Sequence, residues 1–209
     1  MNDKREQEVK NILVKQLNFS LSSIVLLENF VKSLLDYNKK YNLIAKSTED
    51  DVWHRHILDS AQLVKFIDFK KPYSLSDMGS GAGFPGLVLA FFNNNPEFHV
   101  KLYEKSIVKA NFLNEEAKKA GKTVEVLEGS YLNHQINSEY IVARAFKKIE
   151  HLLTISREIN KKTHKMIVLK GKSAQEDINN ASKKVDFHYK LENSITNKDS
   201  KIIIIDAKK

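Results

Sequence analysis

From Asp77 to Gly86 the chain reads Asp-Met-Gly-Ser-Gly-Ala-Gly-Phe-Pro-Gly. Four of its seven glycines and one of its three prolines fall within residues 79–86. A short apolar run at 73–76 precedes the cluster, and a helix-compatible run at 87–92 follows it. Strand, glycine turn and helix in that order bring backbone amides and a helix N-terminus against a ligand. A side chain in the turn would hold the ligand off the backbone, which is why glycine recurs there. A cluster this dense seldom arises for packing alone. A small ligand bound at the turn is therefore the first expectation.

Two registers compete for the nature of that ligand. Gly81, Gly83 and Gly86 satisfy the G-x-G-x-x-G spacing of a dinucleotide site, but Pro85 sits inside it. Gly79, Gly81 and Gly83, with Asp77 two residues upstream, fit better. This second register resembles the first motif of S-adenosylmethionine-dependent methyltransferases with a Rossmann-like sheet. A ligand without a pyrophosphate needs close backbone approach but fewer amide-to-phosphate bonds. The next strand, at 99–104, ends on Glu104, about 20 residues past the loop, where a carboxylate can accept both ribose hydroxyls. The plainer reading of Glu104 is a solvated strand-end glutamate.

The remaining pattern places this loop in an α/β fold. Val9, Ile12, Leu13 and Leu17 mark one amphipathic helix, and Ile24, Leu27, Val31, Leu34 and Leu35 a second, with Ser20 or Ser22 as its cap. A third helix is expected over 49–66. Strands are expected at 74–78, 99–104, 124–127, 140–143, 165–170, 185–191 and 201–205, with helices at 107–120, 147–160 and 174–182 between several of them. Such alternation predicts a mostly parallel seven-stranded sheet with helices on both faces and ligands at the strand C-terminal ends. The last two strands, close in sequence, are expected to pair antiparallel at one edge. Residues 1–68 read as an N-terminal helical extension and 69–209 as a methyltransferase domain forming one compact unit.

Composition narrows the function. The chain contains no cysteine, which removes disulfides, thiolate metal sites and any methylation through a cysteine nucleophile. No apolar run approaches a membrane span, and the charged N-terminus lacks a signal-peptide core, so a cytoplasmic location is expected. The net charge of +8 lies wholly in the last third: from Arg144 onward 16 Lys and Arg face 8 Asp and Glu, while the first 143 residues carry 18 of each. The excess includes Lys147, Lys148, Lys161, Lys162, Lys165, Lys170, Lys172, Lys183 and Lys184. A one-sided basic surface suits a polyanion such as RNA, although lysine-rich faces are often simply solvated.

Further motifs occur in order along the chain: Asn42-Leu43-Ile44-Ala45, His56-Ile57-Leu58-Asp59-Ser60, the glycine turn, Arg144-Ala145-Phe146 and Leu169-Lys170-Gly171. Together they resemble the RsmG (GidB) family of small-subunit ribosomal RNA guanine-N7 methyltransferases, over nearly the whole chain. The resemblance implies S-adenosylmethionine as cofactor and the guanine at position 527 of 16S rRNA, near the decoding centre, as target. It implies 16S rRNA or the small subunit, an assembly intermediate included, as partner; no membrane partner is expected from the apolar pattern, and a monomer is the default expectation. It assigns cofactor contacts to Gly79, Gly81, Gly83, Phe84, Glu104 and Arg144, and to Tyr131 and Leu132 beside the adenine. There the family's arginine and glutamate are replaced by Ser130 and Leu132. No dedicated base is implied; Arg144 and Lys170 are the positioning candidates.

Three smaller signals have plainer readings. Gly171-Lys172-Ser173 looks like the end of a phosphate-binding loop, but Met166 stands where its first glycine belongs. His54 and His56 would ligate one metal only on a strand, and their segment reads as helix. His56 and Asp59 either hold the helical extension against the sheet or meet the cofactor edge. The other functions in view are a different S-adenosylmethionine-dependent RNA methyltransferase, a nicotinamide dehydrogenase lacking a clear hydride-site acid or base, and a non-catalytic RNA-binding module.

Overall fold

Alternation with a period of two runs through the central strands and sorts their side chains into two apolar layers. In the computed structural model, which describes residues 3–121, 124–144 and 148–207, strand β1 spans Ser74–Met78, β2 His99–Glu104, β3 Val124–Glu128 and β4 Tyr140–Arg144. Strand β5 spans His164–Lys170, β6 His188–Asn193 and β7 Lys201–Ala207. Leu75, Leu102, Val142, Ile167, Leu169, Ile202 and Ile204 face one layer; Met78, Tyr103, Ile141, Ala143, Met166, Val168, Ile203 and Ile205 face the other. A strand buried on both faces reads as a near-continuous apolar run, and Ile202-Ile203-Ile204-Ile205 is the clearest case.

The strands form one sheet in the order β3-β2-β1-β4-β5-β7-β6. All neighbouring pairs are parallel except those of β7, which runs antiparallel to both β5 and β6. The expected hairpin of the last two strands is therefore present, with β7 inserted beside β5 and β6 left at the edge. Strand β6 begins three residues later than its apolar pattern suggests, because the Val185 amide still closes the preceding helix by donating to the Ala181 carbonyl (2.9 Å). The strand order reverses between β1 and β4, and a crevice opens outside the carboxyl ends at such a switch point.

Helices α1 (Asp3–Leu17), α2 (Leu21–Tyr41), α4 (Gly86–Phe92) and α5 (Ile107–Lys119) cover the first layer; α6 (Ile149–Ile159) and α7 (Ala174–Ser182) cover the second. Leu13, Leu27 and Phe30 from the first two helices share one cluster with Phe84, Leu87 and Leu102. Ser20 caps α2 by accepting from the Ser23 amide (3.1 Å), and the Ser23 hydroxyl donates to the Phe91 carbonyl of α4 (2.8 Å). The end of α2 explains the Asn42-Leu43-Ile44-Ala45 motif. Asn42 takes the left-handed conformation (φ 47°) that ends a helix. Leu43 and Ile44 are buried, and the Asn38 side chain accepts from the Ile44 amide (2.8 Å).

The segment expected as one helix at 49–66 is helical but broken. A 3-10 turn (Lys46–Asp51) leads to a wider π turn (Trp53–Leu58), a single α turn labelled α3 (Asp59–Ala61) and a second 3-10 stretch (Gln62–Phe66). Within the π turn a side chain enters the backbone ladder, as happens at helix irregularities. Arg144 donates to the Arg55 carbonyl (3.2 Å), and the Asp59 amide turns to the His56 carbonyl three residues back. Residues 145–147, including Ala145 and Phe146 of the downstream motif and Lys147 of the basic series, lie outside the described residues.

Asn38→Ala strands the buried Ile44 amide and removes a partner of Glu49 (2.5 Å from Asn38 Nδ2). The expected loss is about 1–3 kcal/mol of unfolding free energy, read as a lower urea midpoint. A midpoint equal to the parent's would show that the amide finds another acceptor.

Candidate active site

Beyond Met78 the chain turns sharply, and two successive amides, Gly79 and Ser80, both donate to the Tyr103 carbonyl (2.9 and 3.0 Å). The amides of Gly83 and Phe84 then converge on the Ser80 carbonyl (2.8 and 3.0 Å). This winding requires positive φ at Gly81 (57°), and a Cβ added there would meet nothing within 4 Å. That glycine borders open space. Gly86 is glycine for the opposite reason: a Cβ would lie 2.4 Å from the Leu102 side chain and 2.6 Å from Asp77 Oδ2. It lets α4 press against β1 and β2, so the last glycine of the cluster serves packing.

Asp77 holds that helix start. Its Oδ2 accepts from the Gly86 amide (2.8 Å), while Oδ1, sealed from solvent, has no partner among the described residues. Burial pushes the carboxyl up to about 7, against the pull of the Gly86 amide. Glu104 fastens the turn from β2: Oε2 accepts from Gly81 (2.8 Å) and Oε1 from Ser106 (2.8 Å). Each carboxylate oxygen can accept two hydrogen bonds, so both keep room for a hydroxyl. After β3, Ser130 starts a short turn (Tyr131–Asn133) by accepting from the Leu132 amide (3.3 Å). Leu132 is exposed, whereas Tyr131 is half-buried, which raises its phenol above the usual range.

Arg144, the last residue of β4, gathers the helical segment onto the sheet. Its guanidinium lies 4.9 Å from the Phe84 ring centroid and 3.7 Å from Asp59 Oδ2, and donates to His56 Nδ1 (2.9 Å). Arginine has no acceptor, so His56 Nδ1 is unprotonated and Nε2 carries the proton toward Thr48 Oγ1 (2.8 Å). The Thr48 hydroxyl in turn donates to the Ala45 carbonyl (2.7 Å), and every member of the chain is satisfied in one direction. Burial first, then the charges of Arg144 and Arg55, push the imidazole down to about 3. The His56 ring also stacks on Phe84 (4.9 Å, 24°). Phe84, expected to line the cofactor, thus has its ring 3% exposed, packed between His56, Arg144 and Phe30.

A cleft of about 370 Å³ opens beside this cluster. It is lined by Arg55, His56 and Asp59 of the helical segment, by Arg144, Leu169, Lys170 and Gly171 at the strand ends, and by Thr196, Asn197 and Ser200 of the β6–β7 turn. Sequence reasoning missed that turn, since no motif marks it. Thr196 donates to Asp59 Oδ1 (2.8 Å), and Gln62 bridges to the Ile195 amide (2.9 Å) and Ser194 Oγ (3.1 Å). His56 and Asp59 therefore tie the helical segment to the sheet and line the cleft as well. His54 points elsewhere, to Arg5 (3.2 Å), so the two histidines diverge. Lys170 reaches the cleft already paired to Asp177 (2.7 Å). Met166 is buried inside β5, and the phosphate-loop likeness ends there.

Asp77 and His56 pull stability in opposite directions with pH. Between about 4 and 7 folded Asp77 holds a proton that the unfolded chain releases near 3.8, so its contribution falls as pH rises. Between about 3 and 6.5 the unfolded chain holds a proton that folded His56 lacks, so its contribution rises with pH. Relative to the parent, Asp77→Asn should gain stability with rising pH over this window and His56→Gln should lose it, each by up to about 1.4 kcal/mol per pH unit. Urea midpoints across the window test this; profiles parallel to the parent's would refute both assignments.

Against this geometry, known proteins agree. The family described as rRNA small subunit methyltransferase G (GidB) matches residues 23–204. A ribosomal RNA small subunit methyltransferase G from Rickettsia felis is 34% identical over 177 residues, 85% of this chain and 90% of that protein. One from Pelagibacter ubique is 31% identical over 206 residues, 96% of each. Among solved structures, a SAM-dependent methyltransferase from Aquifex aeolicus superposes with a TM-score of 0.60 at 14% identity, over 77% of this chain and 94% of that one. The O-methyltransferase from Bacillus cereus in complex with SAH gives 0.59 at 11% identity, over 98% and 99%. The structural likenesses establish a Rossmann-like methyltransferase fold, and the sequence matches establish the family: the chain belongs to the rRNA small subunit methyltransferase G family.

Proposed function

We propose that this chain transfers a methyl group from S-adenosylmethionine to N7 of a guanine in 16S rRNA, the one its family resemblance implies, on the small subunit or an assembly intermediate. The carrying observation is that the glycine turn and the polar cleft share one wall, the Phe84–Arg144–His56 stack. A cofactor at the turn and a base in the cleft would meet across it.

The residues fit the cofactor. Gly81 faces open space, Gly79 and Gly83 shape the turn around it, and Glu104 keeps an acceptor site on each oxygen for the ribose. Leu132 and Tyr131 offer apolar surface after β3 for the adenine, with Ser130 fixing their turn. S-adenosylmethionine supplies an electrophilic methyl on a sulfonium. Guanine N7 has an in-plane lone pair and no proton, so the protein needs no general base. This agrees with a site where both nitrogens of His56 are committed to hydrogen bonds. Alignment of nucleophile and methyl is then the protein's main contribution, an effect of about 7–11 kcal/mol where it is complete.

Arg144 is placed for that alignment. Two of its five N–H groups are spent on Arg55 and His56, and Asp59 lies within ion-pair range of the same guanidinium, which lines the cleft with the donors that are left. A cation bound bidentately to O6 and N7 would block the nucleophile, so Arg144 contacts O6 or a phosphate and leaves N7 open. An unstacked base in a loop can enter such a cleft, which a paired base cannot.

Mapping the modified base in 16S rRNA by chemical cleavage at N7-methylguanine, with and without the protein, tests the activity; a methyl group on another atom or base would overturn it. Arg144→Ala should lower kcat/KM for methylation about 100-fold, a loss of about 3 kcal/mol. Arg144→Lys, which keeps the charge but not the planar fork, should fall between. Unchanged methylation and cofactor affinity in Arg144→Ala would remove its role.

A further inference from the structure

Three cations approach the cleft, and two are already answered by carboxylates. Arg144 lies beside Asp59 (3.7 Å), and Lys170 pairs with Asp177 (2.7 Å). Arg55 is the third. Its side chain is exposed, lines the cleft, and makes no hydrogen bond or ion pair among the described residues. Its backbone, by contrast, is fixed: the carbonyl accepts from Arg144, and buried Trp53 and Ile57 anchor the π turn on either side. A guanidinium with a clamped main chain and a free head is a preorganised donor, because little backbone entropy is lost when it binds.

The uncompensated charge is felt locally. Arg55 helps to push His54, His56 and Arg144 below their usual values, although burial is the larger cause at each. A monoanion at the cleft mouth would relieve that repulsion. The planar fork of arginine matches two oxygens of a phosphate bidentately, and the proposed substrate carries one such anion per nucleotide. A protein carboxylate could give the same relief, but Asp59, the acid in this cleft, is already engaged by Thr196 and Gln62 at Oδ1.

We propose that Arg55 binds a backbone phosphate of the RNA at the cleft mouth and fixes the register in which the target guanine enters. This rests on the rRNA methyltransferase reading above and deepens it. The phosphate contact moves from Arg144 and Lys170, which are paired, to a residue that carries no sequence motif. Arg144 is left to the base.

The test uses small ribosomal subunits from cells lacking the methyl mark, with methyl transfer measured over a range of KCl. Each phosphate neutralised contributes about 0.7–0.9 to the salt slope of binding. In Arg55→Gln the slope of log kcat/KM against log salt should flatten by about that amount. KM for the subunit should rise about tenfold, with kcat and S-adenosylhomocysteine affinity near the parent's. Arg55→Lys should restore most of the slope. An Arg55→Gln enzyme with the parent's slope and KM overturns the inference, as does one that loses cofactor affinity while keeping the slope. If the parent itself methylates no rRNA, the functional reading fails first and this inference with it; a fully active parent beside an unchanged variant sinks this inference alone.

Discussion

The guanidinium of Arg144 joins two parts of the chain that the backbone separates by more than eighty residues. Arginine can only donate, so it must find acceptors, and it finds them all on one helical segment: the Arg55 carbonyl, His56 Nδ1 and, within ion-pair range, the Asp59 carboxylate. That requirement reaches back into local structure. The carbonyl it takes belongs to the π turn, so a regular α-helix gives way to a broken one. It also reaches forward into chemistry, because a histidine facing an obligate donor is fixed in one tautomer and remains neutral. Removing either partner alone would leave a polar group in a half-buried seam without compensation.

The glycine turn shows how one sequence cluster answers several physical demands. Gly81 adopts positive φ beside open space, which suits a ligand lying on the backbone. Gly86 is required by contact with Leu102 and Asp77, a packing demand that no ligand imposes. Asp77 and Glu104 look alike in sequence as acids flanking the turn, yet their surroundings divide them. Asp77 is fully sealed beneath the α4 N-terminus and accepts from the Gly86 amide there, while Glu104, buried but 7% exposed, has acceptor capacity to spare. Dielectric and access, more than residue type, separate the structural acid from the one that can meet a ligand.

Most of the architecture was legible because it depends on local periodicity. Strands such as Ile202–Ile205 are apolar at every position, and the glycine turn has few conformations open to it. The seven strands and the reversed β7 follow from these signals. What stayed hidden depends on long-range pairing. Nothing local to residues 49–66 reveals that Arg144 will invade their hydrogen-bond ladder. Nothing near Thr196 foretells its bond to Asp59, 137 positions away. Phe84 is an aromatic residue in a turn whose sequence suggests a ligand, and only the packed structure shows its ring turned under His56 and Arg144. Lys170 ends its strand as expected, but its partner Asp177 lies in the next helix, and that pairing alters what the lysine has left to offer.

The same distinction applies to charge. The excess of +8 in the last third suggested an RNA-facing surface, and at a distance it acts as a sum, drawing a polyanion in whichever lysines carry it. At contact range it no longer acts as a sum. Lys162, Lys170 and Lys184 are held by Glu139, Asp177 and Glu150, so their donors are partly spent within the fold. Steering can tolerate such pairing because, out to the Debye length at which salt screens it, the field follows the summed charge. Positioning cannot, because a hydrogen bond needs a free donor at a fixed place. The cation best suited to position a substrate therefore comes from the neutral first two-thirds of the chain, on a turn whose backbone Arg144 has already clamped.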